Sequence, residues 1–225
     1  MMKILVIGAS TNLEEAKAKF GEGHHFTVEN DHREAERFVE NKDLVLDFIL
    51  DEEPYKVEIY ENKAQAKVFV NTAKISLAEL SSLRGHEIKA TLFGFNGLPT
   101  FLNREVMEVS VLRPTDIIQL AEIAKKLGTE FMQVDDRVGL VTPRVICMII
   151  NEAYYTVQEG TATRDDIDLA MKLGTNYPFG PFEWCKRIGI KHVYELLEAV
   201  YEDTHDERYK ICSLLKREYL MQSST

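Results

Sequence analysis

No stretch of this 225-residue sequence approaches the roughly 20 consecutive apolar residues that a membrane-spanning helix needs. Met1–Gly8 has neither the length nor the cleavage pattern of a signal peptide, so the cytoplasm is the expected compartment. Cysteine is scarce. Cys147, Cys185 and Cys212 are odd in number and widely spaced, which excludes a disulfide framework and offers no metal-ligand spacing. Free thiols in a reducing compartment are the expectation. Positive charge is also short, with 27 lysines and arginines against 37 acids and a formal charge of −10. That balance argues against nucleic acid or an anionic membrane as the main partner. There is no low-complexity linker and no internal repeat. What remains is an ordinary globular composition, 45% hydrophobic and 28% charged, long enough for one large or two modest domains.

The N-terminal half alternates short apolar runs with helical patterns. Lys3–Gly8, His25–Glu29, Asp43–Leu50, Lys67–Asn71, His86–Phe95 and Glu105–Leu112 read as strands. Between them a helix capped by Asn12 is expected over Leu13–Phe20, with others over Arg33–Glu40, Tyr55–Ala66 and Ile75–Leu83. Such spacing implies βαβ units and a parallel sheet. The fold class is therefore α/β: a Rossmann-like doubly wound sheet, here followed by an all-helical C-terminal domain. In such sheets the loop after the first strand carries G-x-G-x-x-G, which admits a pyrophosphate. Here the loop is Gly8-Ala9-Ser10-Thr11-Asn12-Leu13, and only its first glycine stands. Glu14 and Glu15 follow at the helix end, and the acidic ribose position falls near Asn30 and Asp31. Two alternatives stay open, a dinucleotide site or a sheet whose cleft has lost that ligand.

From Thr115 the periodicity is helical. Thr115–Leu127, the strongly apolar Arg144–Glu159, His192–Glu202 and Arg208–Tyr219 are expected helices, and Phe131–Val134 is a brief extended segment. The domain boundary is placed around Gln133–Pro143, giving domains 1–134 and 135–225. Within the second lies TATRDDIDLAMKLGTNYPFGPFEW, residues 161–184. Thr163 caps a helix with acids in its first turn, Gly174 is the expected left-handed C-cap, and two prolines and a glycine fix the following turn.

Together with the preceding NEAYYTVQEG, this stretch resembles the C-terminal domain of the 3-hydroxyacyl-CoA dehydrogenases. The shared features are a long helix, a turn, a helix ending in M-K-L-G and then N-x-P-x-G-P-F-E. Further upstream, Asp43–Lys56 and Asn71-Thr72 are similar to the family's third strand and fourth strand end. Thr91–Asn96 resembles L-H-F-F-N, Met107-Glu108-Val109 resembles V-E-V, and Gly139–Arg144 sits at G-F-x-x-N-R. The resemblance implies NAD as cofactor, an acyl-CoA-like substrate, oxidation of the 3-hydroxyl carbon, and a homodimer formed through the helical domain. By the same resemblance, Gly8, Asp51, Lys56 and Asn96 fall at cofactor-contact positions, and Glu108 at the glutamate that orients the catalytic histidine.

The other family groups are missing. The general base falls at Phe93, the substrate-holding serine at Ala73 and the asparagine of G-F-x-x-N-R at Pro143. His86, seven positions before Phe93, reads as a turn residue rather than a replacement base. The family's long helical hairpin between its second and third strands, which contributes to CoA binding, has no room between Asn30 and Asp43. A general base supplies about 10²–10⁴-fold in rate. The expectation is thus a catalytically degenerate member, or a non-catalytic homodimer that binds a ligand or partner.

Overall fold

A computed structural model describes residues 1–222. The chain forms two compact units, Met1–Leu140 and Val141–Thr225.

The first unit is a seven-stranded sheet in the order β2-β1-β3-β4-β5-β6-β7. Its strands are β1 Lys3–Ile7, β2 His25–Glu29, β3 Leu44–Asp47, β4 Lys67–Asn71, β5 Thr91–Phe95, β6 Val106–Val111 and β7 Glu130–Gln133. The first five run parallel, as the alternation of apolar runs and helices implies. β6 instead pairs antiparallel with β5, and β7 runs parallel to β6. The connection 96–105 is too short for the crossover of about a dozen residues that a parallel return needs. Side chains alternate across the sheet. Ile4, Val6, Leu46, Phe69, Phe93, Phe95 and Val109 face α1 (Ser10–Phe20) and α4 (Asp116–Leu127). Leu5, Ile7, Val45, Val68, Val70 and Leu92 form the other face, under α2 (His32–Ala35), α3 (Leu77–Ser82) and the 3₁₀ segments Glu36–Asn41 and Pro54–Tyr60.

Several element bounds differ from the sequence reading, each for a local reason. α1 begins at Ser10, because Asn12 folds its side chain back onto the N–H of Ala9 instead of capping a helix after itself. The expected helix Arg33–Glu40 is one α turn followed by a 3₁₀ stretch, and Tyr55–Ala66 is 3₁₀ only to Tyr60. β5 starts at Thr91, five residues later than the apolar pattern suggested.

The second unit is helical: α5 Thr142–Gln158, α6 Arg164–Thr175, α7 Pro181–Ile188, α8 Ile190–Thr204 and α9 Ser213–Gln222. α5 places Ile146, Cys147, Ile150, Ala153 and Tyr154 in the unit's core. Thr163 caps α6 through the N–H of Asp166. Gly174 does not end that helix. It continues to Thr175, and Asn176 takes the left-handed conformation at φ 57°. The turn after it is held by Asp168, whose carboxylate accepts from the N–H groups of Phe182 (2.8 Å) and Glu183 (3.1 Å) at the start of α7. Gly180 makes this approach possible, since a Cβ there would lie 2.3 Å from Asp168 Cγ. A helix otherwise leaves its first N–H groups unsatisfied, so an acid from α6 closing α7 is a specific lock.

Candidate functional site

In parallel sheets of this kind, ligands bind outside the carboxyl ends of the strands. Along that edge of the first unit lie the ends of β1 at Gly8, β3 at Phe48–Asp51, β4 at Asn71–Lys74 and β5 at Asn96, with the start of antiparallel β6 beside them. The register that opposes Phe95 to Val109 carries Glu108 to the level of Asn96. Gly8, Asp51, Asn96 and Glu108 are thus gathered on one edge. Lys56 sits on the 3₁₀ segment after β3, half-buried, and has no ion-pair partner among the described residues.

Gly8 has φ 151°, and a Cβ on it would stand 2.6 Å from Asn12 Oδ1, so the position demands glycine. The loop's own chemistry is partly satisfied already, because Asn12 Oδ1 accepts from Ala9 N at 2.8 Å. The N–H groups of Ser10 and Thr11, as the first helical residues, have no intrahelical acceptor. With α1 beginning at Ser10, its first turn holds no acid, contrary to the expectation for Glu14 and Glu15. Glu15 turns away into the loop after β5, where burial raises its carboxyl pKa against the Thr100 backbone hydrogen bond and the charge of Arg104. Leu13 packs on the sheet core rather than into the crevice. The helix end therefore stays open to an anion. At the end of β2, Asp31 caps α2 with Oδ1, accepting from Arg33 N (2.7 Å) and Glu34 N (3.2 Å), and remains exposed.

The strand ends are cross-tied by Asn71, which is buried. Its amide donates to Phe48 O (3.2 Å), and its Oδ1 accepts from Ala73 N (3.2 Å) and Gly97 N (2.9 Å). Asn96 Oδ1 accepts from Leu98 N at 3.2 Å. Asp51 is nearly buried, and Lys74 stands 3.8 Å from it and 3.4 Å from Glu52. Sequence reasoning did not find Asn71 as a hub or Lys74 as a partner, because neither contact has a local spacing signature.

Phe93 lies inside the sheet core at 0% exposure, with its ring centroid 5.1 Å from that of Phe69. It neither fills nor lines the crevice. Glu108 has Arg104 in its field in place of a histidine. Burial pulls the Arg104 guanidinium below its ordinary value, and the carboxylates of Glu108 and Glu15 oppose that shift. His86 belongs to the opposite end of the sheet, before β5, where it pairs with Glu61 at 3.2 Å. The described residues thus bring no imidazole to Glu108 within this unit.

Comparison with known proteins places these features. The family model "3-hydroxyacyl-CoA dehydrogenase, C-terminal domain" matches residues 139–223. A 3-hydroxyadipyl-CoA dehydrogenase of Escherichia coli is 42% identical over 96 residues, 43% of this chain and 20% of that protein. A probable 3-hydroxybutyryl-CoA dehydrogenase of Bacillus subtilis is 27% identical over 184 residues, 79% of this chain and 64% of that one. The chain therefore spans less than two thirds of the length of these curated relatives. The crystal structure of (S)-3-hydroxybutyryl-CoA dehydrogenase from Ralstonia eutropha superimposes with a TM-score of 0.73 at 21% identity, covering 98% of this chain and 94% of that one. This likeness shows the shared fold.

Proposed function

We propose that the chain is a member of the 3-hydroxyacyl-CoA dehydrogenase family that keeps the scaffold and a nicotinamide-dinucleotide crevice but not the family's hydride-transfer reaction. Fully buried Phe93, at the position of the family base, carries this reading. A phenyl ring accepts no proton, and this one is sealed from solvent in the sheet core. Ala73 and Pro143 withdraw the groups expected to hold the substrate. Glu108, set against an arginine, has nothing to orient.

NAD fits the residues that remain. Its pyrophosphate would meet the N–H groups of Ser10 and Thr11 beside Gly8, and Asp31 would face the ribose. Asp51, Lys56 and Asn96 would stand toward the nicotinamide end. When bound, NAD supplies a hydride acceptor, but the chain offers no partner base at Phe93 to take the proton from a 3-hydroxyl group. The expected ligand in the crevice is thus the dinucleotide, alone or with an acyl-CoA-like molecule.

A second copy of the chain is the partner proposed for the helical unit. α5 buries Ile146, Cys147, Ile150 and Tyr154 in its own unit and leaves Val145 52% exposed. α6 buries none of its residues and leaves Leu169 54% and Leu173 78% exposed. Three buried free thiols suit a reducing, cytoplasmic setting.

The test adds NADH and acetoacetyl-CoA, following absorbance and NADH fluorescence separately. Saturable fluorescence change without loss of absorbance is expected. Turnover at family-like rates would overturn the degenerate reading, and absence of NADH binding would overturn the crevice. In sedimentation, a monomer at all concentrations would remove the dimer.

A further inference from the structure

The mechanism above leaves unused a buried polar cluster on the shortened crossover between β2 and β3. His32, the first residue of α2, is 1% exposed, and its Nε2 stands 2.9 Å from Asp47 Oδ2 at the end of β3. Tyr60 donates its hydroxyl to the same oxygen at 2.7 Å, and Ile49 N reaches Asp47 Oδ1 at 3.2 Å. On the other side of the ring, Nδ1 is buried without a hydrogen-bond partner, 3.6 Å from Glu53 Oε2. An imidazole with a carboxylate at each nitrogen is bound most strongly when both nitrogens carry protons.

We propose that His32, clamped between Asp47 and Glu53, is a proton-dependent latch that holds α2 and the 3₁₀ segment Glu36–Asn41 against the sheet. α2 packs on β1, β2 and the two neighbouring 3₁₀ segments. On this face β1 buries Leu5 and Ile7, with Lys3 at the same strand parity. Titratable and charged residues on the packed elements are Lys3 on β1, His25 and Glu29 on β2, Glu36, Arg37 and Glu40 on Glu36–Asn41, and Tyr55, Lys56, Glu58 and Tyr60 on Pro54–Tyr60. Among the described residues, however, the imidazole pairs only with Asp47 and Glu53. Tyr60 is a fixed donor, since burial and Asp47 push its hydroxyl well above the ordinary range.

Loss of one proton leaves Nε2–H on Asp47 but turns Nδ1 into a lone pair facing the Glu53 carboxylate. One attraction disappears and a repulsion replaces it. Burial lowers the affinity of His32 for its proton, but the hydrogen bonds and charges of Asp47 and Glu53 outweigh it and raise the pKa above the ordinary 6.5. A raised folded-state value gives stability that is full below the unfolded pKa and lost as pH rises through the folded one. The latch is thus closed below the ordinary histidine value and loosens as pH rises through the raised folded-state one. It lies next to Asp31, at the nucleotide side of the crevice, but it does not depend on the dinucleotide reading because its readout is local.

Hydrogen exchange of amides 33–41, corrected for intrinsic base catalysis, tests it alongside NMR titration of the His32 ring. Protection in the intact protein should fall as pH passes the imidazole midpoint. In His32→Gln, protection should be low and independent of pH. Glu53→Gln removes only a half-exposed carboxylate, so the fold should persist while the midpoint and the fall in protection move together to lower pH. Constant protection through the midpoint, a midpoint at or below the ordinary histidine value, or a fall in protection that ignores the midpoint shift in Glu53→Gln would each overturn the latch.

Discussion

In the helical unit, Asp168 leaves its own helix to close the next one, and Gly180 gives it the space. In the sheet unit, the polar side chains at the strand ends bind one another and the backbone: Asn71 to three loops, Asn12 to Ala9, Lys74 to Asp51 and Glu52. The first arrangement maintains a helix junction and needs the motif's residues in their order. The second ties the strand ends together, and it does so without the side chains at Phe93 or Ala73. Thus the motif that best carries the resemblance holds none of the residues proposed for the crevice. In the sheet unit, the position proposed for the general base holds the buried Phe93.

The contrast can be broken at Phe93. If the ring is a core element, Phe93→Ala should cost about 3–5 kcal/mol in urea denaturation. Phe93→His should also destabilise, because an imidazole placed there lacks a partner, and should not create acetoacetyl-CoA turnover. A stable, active Phe93→His protein would return this position to the crevice.

Gly180→Ala comes next. A methyl group cannot share space with Asp168, so a loss of about 2–3 kcal/mol is expected by calorimetry. Asp168→Ala, which removes the same lock without a clash, should lose about 1–2 kcal/mol. If the two variants were equal, capping alone would explain the glycine. Thr163→Ala should be mildest, at about 0.5–1 kcal/mol, since an exposed hydroxyl caps α6 on its own. None of the three should alter NADH fluorescence titrations if the crevice belongs to the sheet unit.

Much of the fold was legible in sequence because it rests on periodicity. The apolar runs located β1, β2 and β4 to within a residue, and the Thr163 cap was visible from its spacing to Asp166. Local propensity misled where side chains chose other partners. Asn12 bonds Ala9 rather than opening a helix after itself, and Asn176 ends α6 where Gly174 was expected to. The reversal of β6 was hidden because direction depends on connection length and edge pairing, not on the strand's own pattern.

By itself the sequence determined the scaffold and which residues, Phe93, Ala73 and Pro143, stand at the positions the resemblance marks, since both depend only on which residue stands where. Tertiary structure decided where the side chains at and around those positions sit. It sealed Phe93 into the core, gave Glu108 an arginine for company, and turned Glu15 away from an open helix end. It also gathered His32, Asp47 and Tyr60 from three separated segments. Burial and partner choice across a sheet are long-range properties, and no local spacing encodes them.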